Sequence, residues 1–211
     1  MKVLLVNGSP NKNGCTYTAL SEVAKVLQDN HIEADFFHLG KKPVGGCIAC
    51  FQCQKAGKCV FDDKVNEFTA LAKDYDGFVF GSPVYYAGMN GSLTSLMDRA
   101  FFSASGQAPH PFRLKPAAAV VSARRAGTTA TLDQLNKYFM IQEMPVISSR
   151  YWNMVHGNSP EEVLQDEEGL QIMRVLGRNM AWFLQMKAAA DKAGIAMPEQ
   201  EPNKLFTNFI R

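Results

Sequence analysis

No run in this sequence approaches the roughly 18 consecutive apolar residues that a membrane-spanning helix needs, so no membrane partner is expected. Excess charge is missing too: 22 Lys and Arg stand against 20 Asp and Glu, a formal +2, and the basic residues are scattered. Nucleic acid is therefore not expected as a partner. Strand-like residues begin at Lys2, which leaves no room for a secretory leader, and a cytoplasmic location is the expectation. A nucleoside triphosphate loop of the form G-x-x-x-x-G-K is absent, since five residues separate Gly8 from Gly14 and Cys15 stands in the lysine position. The G-x-G-x-x-G dinucleotide fingerprint is absent as well, because Ser9 and Pro10 follow Gly8. A cysteine phosphatase would carry Arg six residues beyond its nucleophile, and Cys15 meets Ser21 there. Finally, the five cysteines are an odd number with four of them inside thirteen residues, which is no secreted disulfide framework.

What is present begins with Val3-Leu4-Leu5-Val6, a short continuous apolar run of the kind found in a strand buried on both faces of a parallel sheet. It stops at Asn7-Gly8-Ser9-Pro10, and a helical pattern starts at Thr16. Strand, small polar loop and helix N-terminus together aim free backbone N–H groups at one point, where an anion, most simply a phosphate, is expected. Ser9, Asn11, Asn13, Gly14, Cys15 and Thr16 supply hydroxyl, amide and backbone donors suited to holding a monophosphate without reacting with it. A plain surface turn is the alternative for this segment taken alone.

Further along, residues 16–28 carry Leu20, Val23, Ala24 and Leu27 at helical spacing, and residues 32–39 form a second strand of mixed polarity suited to an edge. Residues 40–59 are a loop, and a helix is expected from Asp62 to about Asp74. Gly77 to Pro83 repeats the opening theme of an apolar strand running into Gly-Ser-Pro. Helices over 90–103 and 131–142 flank a small-residue strand over 115–123, which ends in the polar loop 124–129. A fifth strand is expected near 146–150, then a helical region from Pro160 to about Lys192 with a break at Gly169. Its stripe of Leu170, Met173, Leu176, Met180, Phe183 and Leu184 reads as core. In the tail, Leu205, Phe206, Phe209 and Ile210 are expected to dock on the body or on a neighbouring subunit.

Alternating strands and helices make a doubly wound α/β domain. With ligand loops after the first, third and fourth strands, the crevice falls where the strand order reverses, which fits the order 2-1-3-4-5. The expectation is one flavodoxin-like three-layer sandwich over 1–211 with a five-stranded parallel sheet, a cysteine-rich loop at 43–60 and a C-terminal tail at 194–211.

Gly8-Ser9-Pro10 with Gly14-Cys15-Thr16, then Gly81-Ser82-Pro83-Val84-Tyr85-Tyr86, then Arg124-Arg125-Ala126-Gly127-Thr128 resemble the three FMN-contacting loops of the NADPH-dependent FMN reductase family. The resemblance covers nearly the whole chain, and the Ser-Pro-Val-Tyr loop is its most specific piece. It implies that Ser9, Asn11, Asn13, Gly14, Cys15 and Thr16 hold the FMN phosphate. Pro83, Val84, Tyr85 and Tyr86 would lie along the isoalloxazine, with Ala123, Arg124 and Gly127 at its far edge. Many relatives have Arg where this chain has Asn11, so the phosphate grip would lean on backbone and hydroxyl donors. A packed aromatic pair behind a turn is the alternative for the two tyrosines.

Cys47-x2-Cys50-x2-Cys53-x5-Cys59 is the sharpest signal in the chain. Zinc ribbons present two C-x2-C pairs a dozen or more residues apart, and the ferredoxin run follows its last cysteine with Pro, where Val60 stands here. The spacing is similar to that of the iron-sulfur flavoproteins, a branch of the same family, which implies a [4Fe–4S] cluster on Cys47, Cys50, Cys53 and Cys59. A set of free thiols in a plain flavoprotein is the alternative. Cys15 stands apart from this group.

The resemblance implies an FMN-dependent oxidoreductase that carries electrons from NAD(P)H or a ferredoxin-like donor through FMN to a small-molecule acceptor, in a homodimer or homotetramer. The flavin carries that chemistry, so no catalytic side chain is assigned. A cluster-free NAD(P)H:quinone or FMN reductase is the rival enzyme. A flavodoxin-type electron shuttle is the rival carrier, and such chains are smaller and strongly acidic, whereas the pI here is about 8.2.

Overall fold

The computed structural model describes residues 1–105, 107, 109–201, 205 and 207. Among the described residues six strands and seven α-helices follow one another along the chain, with a 3-10 turn at Ala72–Asp74 extending the third helix. They are β1 (Lys2–Asn7), α1 (Cys15–Asp29), β2 (Glu33–His38), α2 (Gln52–Ala56), α3 (Lys64–Leu71), β3 (Gly77–Tyr85), β4 (Gly88–Met89), α4 (Gly91–Ala104), β5 (Ala117–Ala123), α5 (Thr128–Ile141), β6 (Met154–His156), α6 (Pro160–Val163) and α7 (Glu167–Lys192). The sheet runs β2-β1-β3-β5-β6, with every neighbouring pair parallel. Setting aside β4, which pairs only with β3, this is the expected order 2-1-3-4-5 and a flavodoxin-like architecture.

Period-2 alternation in the central strands divides the core between two faces. Leu4 and Val6 of β1, Phe78 and Phe80 of β3 and Ala117, Ala119 and Val121 of β5 join α3, α4 and α5. Val3 and Leu5, Val79, and Ala118 and Val120 face the other way and join α1 and α7. Phe68 of α3 is the hub of the first face, with the Phe37, Phe78, Phe80 and Phe112 rings between 5.5 and 6.3 Å away. On the second face α1 and α7 approach so closely that a Cβ on Gly177 would stand 2.8 Å from Val26. Burying each such Leu or Phe contributes roughly 1.5–3 kcal/mol, so both layers are tied firmly to the sheet.

Three elements differ from the sequence reading. The edge strand expected at 146–150 is interrupted: Val146 makes one isolated bridge to Ala117, and regular pairing resumes only at Met154–His156. The bulge between them carries exposed Tyr151 and Trp152. Helix α7 starts earlier than the break expected at Gly169, because the Asp166 carboxylate accepts the Gly169 N–H at 2.9 Å and caps the helix there. The loop expected throughout 40–59 contains the single-turn helix α2. In the tail, Arg113 donates to the carbonyls of Pro198 and Glu199 at 3.0 and 3.4 Å, while Leu205 is exposed and not docked. Phe206, Phe209 and Ile210 lie outside the described residues.

Candidate active site

Parallel strands end on the same edge, so the segments leaving β1, β3 and β5 emerge together. Direct contacts join them. The Gly8 N–H donates to the Gly81 carbonyl at 2.9 Å, and a Cβ on Gly8 would strike that oxygen and Leu93. The Thr16 and Ser122 hydroxyls share a hydrogen bond of 2.8 Å beneath the first loop. Gly127, at φ 93°, lies against Ala87, and a Cβ there would come within 2.7 Å of the Ala87 Cα. These glycines are what let three loops share one crevice.

The first loop is built around Asn7. Its carboxamide oxygen accepts the Ser9 N–H at 3.0 Å, and its NH2 donates to the Lys12 carbonyl at 3.1 Å. The Ser9 hydroxyl then accepts the Asn11 N–H at 3.1 Å. Asn11 and Asn13 are exposed at the rim and Gly14 is the N-cap residue of α1. Thr16 is buried with its hydroxyl committed to Ser122, and the Cys15 thiol points to the Gly157 carbonyl at 3.6 Å. Burial pushes the Cys15 thiol pKa above its ordinary value, so it stays protonated. Both residues therefore face the crevice through backbone N–H groups.

Helix ends discriminate further. Asp63, Asn90, Ser159 and Asp166 cap α3, α4, α6 and α7 with their side chains. Helices α1 and α5 have no side-chain cap and no acidic residue in the first turn. Both open at the crevice, where their unpaired N–H groups and dipoles favour negative charge.

The second loop, leaving β3, is a hairpin. Val84 pairs with Met89 and Tyr85 with Gly88, leaving Tyr86 and Ala87 as a two-residue turn with φ of 51° and 57°. Two positive φ values define a type I′ turn, which normally takes Asn-Gly. Pro83 and Val84 are half-buried, Tyr85 is exposed and Tyr86 projects completely into solvent. Among the described residues neither tyrosine ring packs on another aromatic ring, so they are not an aromatic pair behind the turn. Gln134 of α5 accepts the Met89 N–H at 3.0 Å, and the Ser82 hydroxyl accepts that of Asn90 at 3.0 Å, fixing the hairpin base. From the last loop, Ala123 is buried while Arg124 is exposed beside Gly127. Gln134 and Asn90 escaped the sequence reading, although Asn before a helix pattern is a cap signal.

A second constellation lies in the cysteine loop. Cys47, Cys50, Cys53 and Cys59 line one small pocket with Ile48, Phe51, Phe61, Phe102 and Arg99. All five cysteines are free. Cys47 and Cys50 are exposed, Cys53 is buried and Cys59 is half-buried. Burial, then the charges of the three neighbouring cysteines, raises the Cys53 thiol pKa. Ala49 and Phe51, on either side of Cys50, hold φ of 52° and 55°, backbone strain of the kind concentrated at functional sites. Among the described residues no three His, Cys, Asp or Glu side chains are arranged to hold one metal ion. A cube of four irons is broader than one ion and spaces its thiolates farther apart. The donor set suits such a cluster, with four thiols lining one mostly apolar pocket. Arg99 also went unread in the sequence, yet it follows Leu96 by three residues on the buried stripe of α4, where a charged residue stands out.

The family model described as NADPH-dependent FMN reductase matches residues 1–159. The chain belongs to the NADPH-dependent FMN reductase family. As a member it is an FMN-dependent oxidoreductase. This FMN reductase homologue is 33% identical over 190 residues to an iron-sulfur flavoprotein of Methanocaldococcus jannaschii, covering 86% of this chain and 96% of that one. Among solved structures it is similar to RosB with a bound 8-demethyl-8-formylriboflavin-5'-phosphate intermediate, at TM-score 0.70 and 12% identity over 100% of this chain and 93% of that one. A flavodoxin from the Archaea superposes at TM-score 0.58 and 16% identity, covering 88% and 99% of the two chains. At such identities these neighbours establish the flavodoxin-like fold of this family member.

Proposed function

We propose that this chain is an FMN-dependent oxidoreductase that takes electrons from NAD(P)H or a ferredoxin-like protein and delivers them to a small-molecule acceptor, with FMN seated in the crevice and a [4Fe–4S] cluster on Cys47, Cys50, Cys53 and Cys59. The observation that carries it is that the two long uncapped helices, α1 and α5, open where the β1, β3 and β5 loops meet. The phosphate belongs at α1, held by the N–H groups of Cys15 and Thr16, the loop of Ser9 and Gly14, and the amides of Asn11 and Asn13. Pro83, Val84, Tyr85 and Tyr86 offer the ring a wall along the hairpin. Ala123, Arg124 and Gly127 stand with the α5 N-terminus beside that hairpin, where positive potential favours a ring that gains negative charge on reduction. Bound FMN supplies the redox chemistry, accepting hydride or single electrons, and the cluster would supply single-electron transfer. The chain's residues bind, orient and tune; none needs to move a proton. The M. jannaschii relative, an iron-sulfur flavoprotein by name, supports the cluster, and the exposed apolar rim around the cysteines supports a homodimer or homotetramer. Five cysteines left free of disulfides fit the reducing cytoplasm.

The test is a visible spectrum with iron and sulfide analysis of protein made without oxygen. Flavin absorbance together with iron and acid-labile sulfide is expected. Flavin without iron would favour the cluster-free NAD(P)H:quinone reductase, a reading that draws on the exposure of Cys47 and Cys50. Retained flavin with no NAD(P)H oxidation would favour an electron shuttle. Ser9→Glu places a carboxylate in the proposed phosphate seat and is expected to lower flavin content at least tenfold, and an unchanged content would remove the phosphate from this loop.

A further inference from the structure

Helix α4 buries Leu93, Leu96, Met97 and Ala100 completely, and in their midst Arg99 is only 2% exposed. A guanidinium survives in such a place only if its donors are met. All five are. Nη1 donates to the Asp63 carboxylate at 2.8 Å and to the Gly45 carbonyl at 3.0 Å. Nη2 donates to the other Asp63 oxygen at 2.9 Å and to the Cys59 sulfur at 3.3 Å, and Nε donates to the same sulfur at 3.3 Å. One edge of the fork grips Asp63 and the adjacent edge grips Cys59, with the Phe61 ring 4.9 Å from the guanidinium carbon. The backbone of Cys59 is held as well: its N–H donates to Asn66 Oδ1 and its carbonyl accepts from Asn66 Nδ2, both at 2.9 Å.

Two N–H donors on one sulfur suit an anionic sulfur better than a neutral thiol, which is a weak acceptor with a proton of its own. The Asp63 charge offsets that of Arg99 at a distance. At the sulfur, however, the cation is in contact and the carboxylate lies beyond it. We infer that Arg99, steered by Asp63, is a positioning residue that fixes the Cys59 thiolate and raises the reduction potential of the centre the four cysteines bind. The inference rests on the cluster reading above. Hydrogen bonds and positive charge at a ligand sulfur favour the more negative, reduced state of the centre, which sets the sign. It also makes Cys59 the anchored ligand, in contrast to the exposed Cys47 and Cys50.

The experiment is a potentiometric titration followed by electron paramagnetic resonance on full-length protein reconstituted anaerobically, with iron and sulfide counted in every sample. Arg99→Met is expected to lower the potential, and Arg99→Lys, which keeps the charge without the fork, to recover part of the loss. Asp63→Asn keeps an N-cap for α3 and removes the offsetting carboxylate, so it is expected to raise the potential. Opposite shifts at two residues of one ion pair are not what general loosening produces. Wild-type potential in Arg99→Lys and Asp63→Asn with iron retained, or shifts of the same sign in both, would overturn the role of Arg99. Should Arg99→Met fail to fold, those two variants still decide. No iron or sulfide in the wild type would instead overturn the cluster reading, and this inference with it.

Discussion

Ala87 occupies a backbone conformation in which glycine is at home and alanine is not. A left-handed residue with a Cβ costs roughly 1–2 kcal/mol, and Tyr86 beside it has the same sign of φ. The hairpin accepts that cost, and the result is a tyrosine held wholly clear of the body at the mouth of the crevice, with Gly127 packed beneath the turn. Strain kept at a ligand site is a form of preorganisation. Ala87→Gly relieves the Cβ clash and adds unfolded-state entropy, so stability is expected to rise by about 0.5–1 kcal/mol while flavin affinity weakens as the turn loosens. Denaturant unfolding and flavin titration on the same variant check both, and a variant that loses stability would show the turn unstrained.

At the scale of elements, capping separates helices that only support the fold from those that face a ligand. Gly14 has φ −87° and ψ −170°, extended backbone open to any residue, and its added Cβ would meet only the Asn11 side chain closely, at 3.1 Å. Gly14→Asp therefore supplies α1 with the cap it lacks. The ligand-free protein is expected to gain about 1 kcal/mol, as N-caps do. Flavin affinity is expected to fall at least tenfold, because the new carboxylate occupies the phosphate's charge. Calorimetry without and with FMN reads the two effects separately, and parallel movement of both would argue against an anion seat at α1.

The same scale explains what the residues disclosed in advance. The strands β1, β3 and β5 are apolar runs ended by Gly or polar residues, so their order and the crevice were legible. The edge was not: only Val146 pairs before the chain bulges out through Tyr151 and Trp152, and a three-residue strand at Met154–His156 carries too little pattern to read. The start of α7 depended on Asp166 serving both as cap and as acceptor of the His156 N–H at 2.7 Å, a tertiary contact that no local pattern announces. Glycines were legible as turns, whereas the partner each one touches across the crevice was not. Arg99 followed the same logic, since its role depends on Asp63 and Cys59 being brought to it from another segment.

Across the whole molecule the two constellations share no residue, one lying at the sheet edge and the other beside α4, and each presents exposed aromatic or aliphatic side chains. Around the cysteine pocket Ile48 is 62% exposed, Phe51 56% and Phe102 36%, with the Phe51 and Phe102 ring centroids 5.9 Å apart. Contiguous apolar surface of this kind marks an interaction site, and exposed thiols that hold the proposed cluster would need cover from solvent. A second copy of the chain would meet both needs. Ile48→Lys puts a charge at the centre of that patch without touching a cysteine or the crevice. Its expected outcome is a shift toward monomer in sedimentation equilibrium, with flavin content unchanged and iron lost faster in air than from the wild type. An oligomer as tight as the wild type would move the interface elsewhere. Monomers that keep their iron equally long in air would mean that the folded loop, with Arg99 and Asn66 holding Cys59, protects the centre without a neighbour.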